Sequence, residues 1–253
     1  MRRSMNPTAA AVILSALVAC VGSDAAVAQW SGRATASMGR GYGNLALSQS
    51  ILSGTRRLGE AAPSRRDAAQ PAVTPAQIDA ALTFTADPQR SERIRAEVID
   101  TISAQNPALR AGAEKAFAGD AVLKEFDRVM TANGYSSRNV ADDMTVLLLV
   151  SWETCSGSEA TKAQMRGARQ QVLGIFLGNP ALRAMSEAER QDMAERIAYH
   201  VVLGSTARQE ALRSGDPARL AQVRQSAAAM LMTQLGIDLS QLRLTDKGFR
   251  KKS

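Results

Sequence analysis

Four side chains stand out for their chemistry. Trp152 and Glu153 lie in the run Ser151-Trp152-Glu153-Thr154-Cys155, and Tyr199 and His200 lie in Ile197-Ala198-Tyr199-His200. A glutamate flanked by apolar residues on a buried helix has a raised pKa, which suits it to act as the acid in glycan cleavage. Such an enzyme also needs a cleft lined by several aromatics, and Phe, Trp and Tyr together make up only 4% of the chain. A salt-bridged or helix-end glutamate is therefore the simpler reading of Glu153. His200 is the only histidine. A catalytic dyad needs a nucleophile beside it and a metal site needs further ligands, so a buried structural histidine is expected. Cys155 falls near a helix C-terminus, where the partial negative charge disfavours thiolate. Asp142 and Asp143 follow Asn139. In a first helical turn, carboxylates offset the positive end of the dipole and an asparagine caps it, which predicts capping rather than acid–base work. Glycine-rich phosphate loops, clustered Cys or His ligands and a nucleophile elbow are missing from the sequence. No catalytic, cofactor-binding or metal set is predicted, and Trp152, Glu153, Tyr199 and His200 stand as binding candidates only.

The elements that position these residues read as helices. Thr74-Pro75, Asp87-Pro88, Asn106-Pro107, Asn179-Pro180 and Asp216-Pro217 each place a capping side chain before a proline at the first helical position. Ser186 with Glu189 has the spacing of a capping box, and Gly134, Gly157 and Gly236 stand where helices should stop. The predicted helices are Pro88–Ala104, Pro107–Ala118, Ala121–Ala132, Val140–Cys155, Glu159–Leu177, Glu187–Arg213 and Pro217–Leu235. A short extended piece is expected around Leu239–Leu244. The fold class is all-α: one antiparallel bundle of about six to seven helices, joined by short connections. Val146-Leu147-Leu148-Leu149-Val150 and Ile197–Leu203 are apolar nearly all round, which places their helices at the centre. The hexapeptide Asn106–Ala111 recurs at Asn179–Ala184, a repetition that a turn before a helix selects anyway.

The start of the chain reads as an export signal. Arg2 and Arg3 precede an apolar run, Ala9–Val21, that is shorter than the ~20 residues a span requires. Ala26-Val27-Ala28 then supplies a small-x-small cleavage site, so residues 1–28 are expected to be a signal peptide. Leu17-Val18-Ala19-Cys20 offers an alternative, a lipobox in which Cys20 becomes a lipid anchor. Residues 29–73 read as a flexible basic linker, 74–249 as the helical domain and 250–253 as a basic tail. The formal charge of +7 is unevenly distributed: residues 29–73 carry six Arg against one Glu and one Asp, whereas 74–249 carry 20 Lys+Arg against 21 Asp+Glu. A near-neutral body with basic ends argues against nucleic acid as a partner. With Cys20 removed or lipidated, Cys155 is left alone and no internal disulfide is expected.

The run Asn139-Val140-Ala141-Asp142-Asp143, the helix that follows it through Trp152 to Gly157, Asn179-Pro180, Met185–Met193 and Gly236–Phe249 together resemble a family of proteobacterial exported helical proteins grouped as a domain of unknown function. The resemblance covers about Thr74–Phe249. It implies a periplasmic helical domain and brings no activity or site residue with it. The expected role is that of an exported envelope protein, more an interaction or accessory module than an enzyme, partnered by another envelope protein or a small apolar ligand. The rivals are a cell-wall glycan hydrolase using Glu153 and a carrier of an apolar molecule. The mature chain is expected to have no transmembrane span and to be periplasmic or secreted.

Overall fold

The computed structural model describes residues 77, 81–105 and 107–252. The leader, the Ala28 and Cys20 processing alternatives and the linker at 29–73 lie outside the described residues. The helices are α1 (Pro88–Gln105), α2 (Arg110–Ala116), α3 (Ala121–Ala132), α4 (Val140–Ser156), α5 (Lys162–Gly178), α6 (Pro180–Arg183), α7 (Glu187–Ser214) and α8 (Pro217–Leu235). Two 3-10 turns, Pro107–Leu109 and Leu239–Gln241, precede α2 and a two-stranded sheet, β1 (Leu242–Thr245) and β2 (Gly248–Lys251). The all-α reading holds among the described residues, with this small sheet and an isolated bridge between Thr83 and Asn139 added to it.

Local chemistry sets the boundaries. Asn139 accepts from the amides of Ala141 and Asp142 to open α4, and Gly157 closes it in the left-handed conformation at φ +72. Helix α5 starts three residues later than Glu159, because Thr161 and Gln164 form a capping box there. Ser186 and Glu189 form the expected box at the start of α7. The stretch read as one helix over Pro107–Ala118 is instead a 3-10 turn followed by the short α2, which ends on Phe117 ahead of Gly119 at φ +65. The two copies of the repeated hexapeptide open unlike elements. Pro107 begins a 3-10 turn that leads into α2, while Pro180 begins α6, a helix of four residues.

Helix α4 is the central element, packed on α5, α7 and α8, and the run from Val140 to Ser151 is buried throughout. Short connections reverse the chain between successive long helices, so helices two apart run the same way. Asp143 of α4 feels the charge of Glu195 early in α7, and Glu153 late in α4 feels Arg208 late in α7. These pairs put α4 and α7 parallel. Helix α1 also lies parallel to α7, joined by a ladder of contacts that advances in the same direction along both helices. The Asp87 amide donates to Gln191 Oε1 at 3.0 Å, the Ser91 hydroxyl to Glu195 Oε1 at 2.7 Å, and Arg90 pairs with Asp192 at 2.9 Å. Arg196 and Glu97 form a further ion pair.

The C-terminal segment departs from the sequence reading. Leu239–Gln241 is a 3-10 turn rather than extended chain, and the extended part is a hairpin whose second strand takes up Arg250 and Lys251, two of the residues read as a basic tail. The register pairs Leu242 with Lys251, Arg243 with Arg250, Leu244 with Phe249 and Thr245 with Gly248. Leu242, Leu244 and Phe249 are buried. Helix α5 holds the hairpin by both edges. Gln164 Nε2 donates to the Leu244 carbonyl at 3.1 Å, and the Gln171 amide accepts from the Phe249 N–H at 2.7 Å and donates to the Phe249 carbonyl at 3.1 Å. Between these glutamines, Gly167 lets the turn come down onto the helix backbone. A Cβ there would sit 2.3 Å from the Asp246 carbonyl oxygen.

Candidate functional site

Glu153 sits near the end of α4 and is 1% exposed. Its Oε1 accepts from the Ala160 amide at 2.8 Å, tying the α4–α5 connection back onto α4. Burial raises its pKa to about 7, against the lowering effects of that hydrogen bond and of Arg208. The carboxyl therefore serves a backbone donor that the connection would otherwise bury unpaired. Trp152, one residue earlier, is half-buried against the main core.

Tyr199 and His200 are neighbours on α7 and face different surroundings. The Tyr199 ring meets Phe117 edge-on at 5.2 Å between centroids, and its hydroxyl pKa is raised by burial and by Glu195. His200 is 2% exposed, and burial with Arg196 nearby pushes its pKa down to about 4, so the ring is neutral at pH 7. It lines a small pocket between α4, α7 and α8, together with Leu147, Ser151, Thr154, Gly204 and Ala227. The pocket volume is ≈ 30 Å³, room for a water or two, whereas pockets for organic ligands run to about 300–1,000 Å³. Trp152, Glu153 and Tyr199 do not line it. The four candidates thus do not converge on one site.

What the sequence does not reveal is a second group of acids at the start of α4. Asp142 is 1% exposed, yet it carries a two-pronged ion pair with Arg169 of α5, at 2.6 and 3.1 Å, and accepts from the Ser136 amide. Asp143, beside it, is 0% exposed, and neither of its oxygens has a hydrogen-bond partner. Burial first, then the charge of Asp142, raises its pKa well above the usual carboxylate value, and Arg138 opposes this only in part. Glu195, across from it on α7, is 4% exposed with a raised pKa. Ser91 and Gln191 donate to its Oε1, and its Oε2 is left without a partner. Asn139 does cap α4, but Asp143 is a core residue rather than a solvated first-turn carboxylate. No group of three or more His, Cys, Asp or Glu able to hold a metal ion occurs among the described residues.

The buried Asn139-Val140-Ala141-Asp142-Asp143 run, the α4 core and the hairpin on α5 belong to one continuous body, and the sequence comparison agrees with that extent. The chain belongs to DUF6683, a family of unknown function, which matches residues 7–252. The match reaches beyond the Thr74–Phe249 stretch on which the resemblance rests, into the leader and the linker. No curated protein and no solved structure matches the chain. Membership in DUF6683 leaves the activity open.

Cys155 completes the survey. It is half-buried, its Sγ lies 3.6 Å from the Arg224 carbonyl, and burial pushes the thiol up to about 11. It is a poor nucleophile in this position.

Proposed function

We propose that the protein is exported to the cell envelope and works there as a non-catalytic accessory module that engages another envelope component through its surface. The observation that carries this reading is the placement of Glu153. A glycan acid must come within hydrogen-bond reach of its substrate oxygen, and this carboxyl is inside the body, held on the Ala160 amide. The carrier alternative is less favoured, because the pocket beside His200 is too small for an apolar ligand. No helix among the described residues is long and apolar enough to cross a membrane. The exposed large apolar side chains among the described residues are Leu212 and Met232. Leu212 lies near the end of α7, just ahead of α8, and Met232 near the far end of α8, separated by about 20 Å of that helix, and so they form no apolar patch. Contact with a partner then falls to polar and charged surface.

Incubating the full chain with purified cell-wall sacculi tests the non-catalytic part. No soluble glycan should be released, and release that Glu153→Gln abolishes would overturn the reading. Fractionation with N-terminal sequencing tests export. The chain should be recovered outside the cytosol, beginning near Gln29 or at Cys20, and an unprocessed cytosolic chain would remove that part.

A further inference from the structure

We infer that the strap of residues 83–87 is a pH-operated catch: it stays closed while Asp143 is protonated, and ionisation of that carboxyl draws Arg138 away from Phe84 and lets the strap lift. The strap joins Leu82, which is 0% exposed in the main apolar cluster, to the first turn of α1. Between these anchors its contacts are few. Thr83 bridges Asn139, and the Phe84 amide donates to the Arg138 carbonyl at 3.2 Å. The Thr85 amide donates to Glu187 Oε2 and the Asp87 amide to Gln191 Oε1, both at 3.0 Å. The Phe84 ring is buried but lies outside the main cluster, and the Arg138 guanidinium sits over it, 5.7 Å from the ring centre.

Both ends of the strap meet the buried acids. Helical side chains lean toward the N-terminus, so Asp143 leans toward the turn at Asn139, where Thr83 and Phe84 pair. At the other end Gln191 returns a bond to the Asp87 carbonyl at 2.9 Å and donates to Glu195 Oε1 at 2.9 Å. Both Asp143 oxygens and Glu195 Oε2 are buried with no hydrogen-bond partner, and two such carboxyls cannot both carry charge. Glu195 has Ser91 and Gln191 to stabilise its charge, so Asp143 is the one that keeps its proton. The charged groups facing Asp143 are Asp142 on its own helix, Asp127 from α3, Glu195 from α7 and Arg138 from the connection before α4. Asp142 is committed to Arg169 of α5, and Asp127 accepts from the Ser137 hydroxyl. On the α1 side Glu195 meets the neutral Ser91, while Arg90 is paired with Asp192. Arg138 is the cation able to turn to Asp143, because the residue is exposed and its guanidinium rests on a ring.

An ionised Asp143 reaches water either by parting α4 from the helices packed on it or by lifting the strap. The second route breaks only the strap contacts and leaves the main cluster intact. Burial raises the closed-state pKa of Asp143 above the usual carboxylate value, so closure is firmest below that value and weakens as pH rises through the raised one. The catch is independent of the proposed function.

Hydrogen exchange of the full chain, read as protection factors so that the intrinsic effect of pH is removed, tests the catch. Between about pH 5 and about pH 8 the amides of Phe84, Thr85 and Asp87 should lose protection by up to about tenfold per pH unit, while those of Val146 and Leu148 keep theirs. In Asp143→Asn, which keeps the shape but cannot ionise, the strap amides should stay protected throughout. Arg138→Gln removes the cation that favours the ionised carboxyl and should move the loss to higher pH, a displacement that a merely structural arginine would not cause. A loss that Asp143→Asn leaves unchanged would overturn the proposal, as would a loss shared equally by α4. If circular dichroism shows Asp143→Asn to be unfolded, Arg138→Gln decides, and a transition that it leaves unmoved overturns the catch.

Discussion

Along the α1–α7 seam charged and polar side chains meet their complements: Arg90 lies on Asp192, Arg196 on Glu97 and Ser91 on Glu195. Where α5 meets the hairpin, neutral amides do the joining. Gln164 and Gln171 bind strand backbone, and Arg243, Lys247 and Lys251 are exposed. The contrast follows from what each contact buries. The seam encloses ionisable groups, which must be paired or neutral to leave water. The clasp encloses only backbone and apolar side chains, so a carboxamide able both to donate and to accept is sufficient. Charge is thus paired at the seam and at the start of α4, while the clasp is made without it.

The sharpest way to break this contrast is at Arg169, whose side chain is 33% exposed while its partner Asp142 is 1% exposed. Arg169→Met leaves a buried carboxylate without its cation and should cost about 3 kcal/mol, read as a lower urea midpoint. Next come the buried acids, through pH. Asp143 and Glu153 have raised folded pKa values, so the stability they contribute is full below their unfolded values and is lost as pH rises through the folded ones. For Glu153 that loss falls between 4.5 and about 7. His200 acts in the opposite sense, losing stability as pH falls from 6.5 through about 4. Urea midpoints across pH 4 to 9 should therefore decline on the alkaline side. Asp143→Asn should flatten that decline, and an unchanged slope would show that Asp143 is already ionised in the folded protein.

At the clasp, Gln171→Ala removes both partners of Phe249 and should cost about 1–3 kcal/mol. Hydrogen exchange should show the hairpin amides losing protection while those of α4 do not. Gly167→Ala should have a comparable local effect, because the turn has to lift away from the added methyl group. The smallest change is expected from Arg243→Thr. Relief of the like-charge pair should raise the stability by a few tenths of a kcal/mol, read as a slightly higher thermal midpoint.

Much of the helical body is legible in sequence, because caps and prolines act over a few residues. Ala121–Ala132 and Pro217–Leu235 begin and end where their neighbours dictate, and Asn139, Gly157 and Ser186 do what their types predict. The hairpin is illegible for the opposite reason. Each strand has four residues, too few for alternation to register, and the features that seat it lie on α5, at Gln164, Gly167 and Gln171. Residues Arg250 and Lys251 read as tail because composition cannot see a receptor some eighty positions upstream. Asp143 misleads for a similar reason. A carboxylate in a first turn belongs in water unless another helix covers it, and here α7 does, with Glu195 facing it. The four binding candidates are all placed inside or against the core, where their neighbours along the chain put them, but they face separate surroundings that only the packing of α7 against α4 and α8 determines.

The register between α1 and α7 also bears on the order of events during synthesis. The Asp87 amide and the Ser91 hydroxyl find their acceptors 104 positions further along. Apart from its local contacts with α2 and the 3-10 turn before it, the first helix of the body consequently lacks its main packing partner until α7 has left the ribosome. Assembly must wait for a late arrival, and contacts of such long range are slow to close. A chain crossing a membrane as it is made would pass through with this seam still open, a condition that suits transport in an unfolded form.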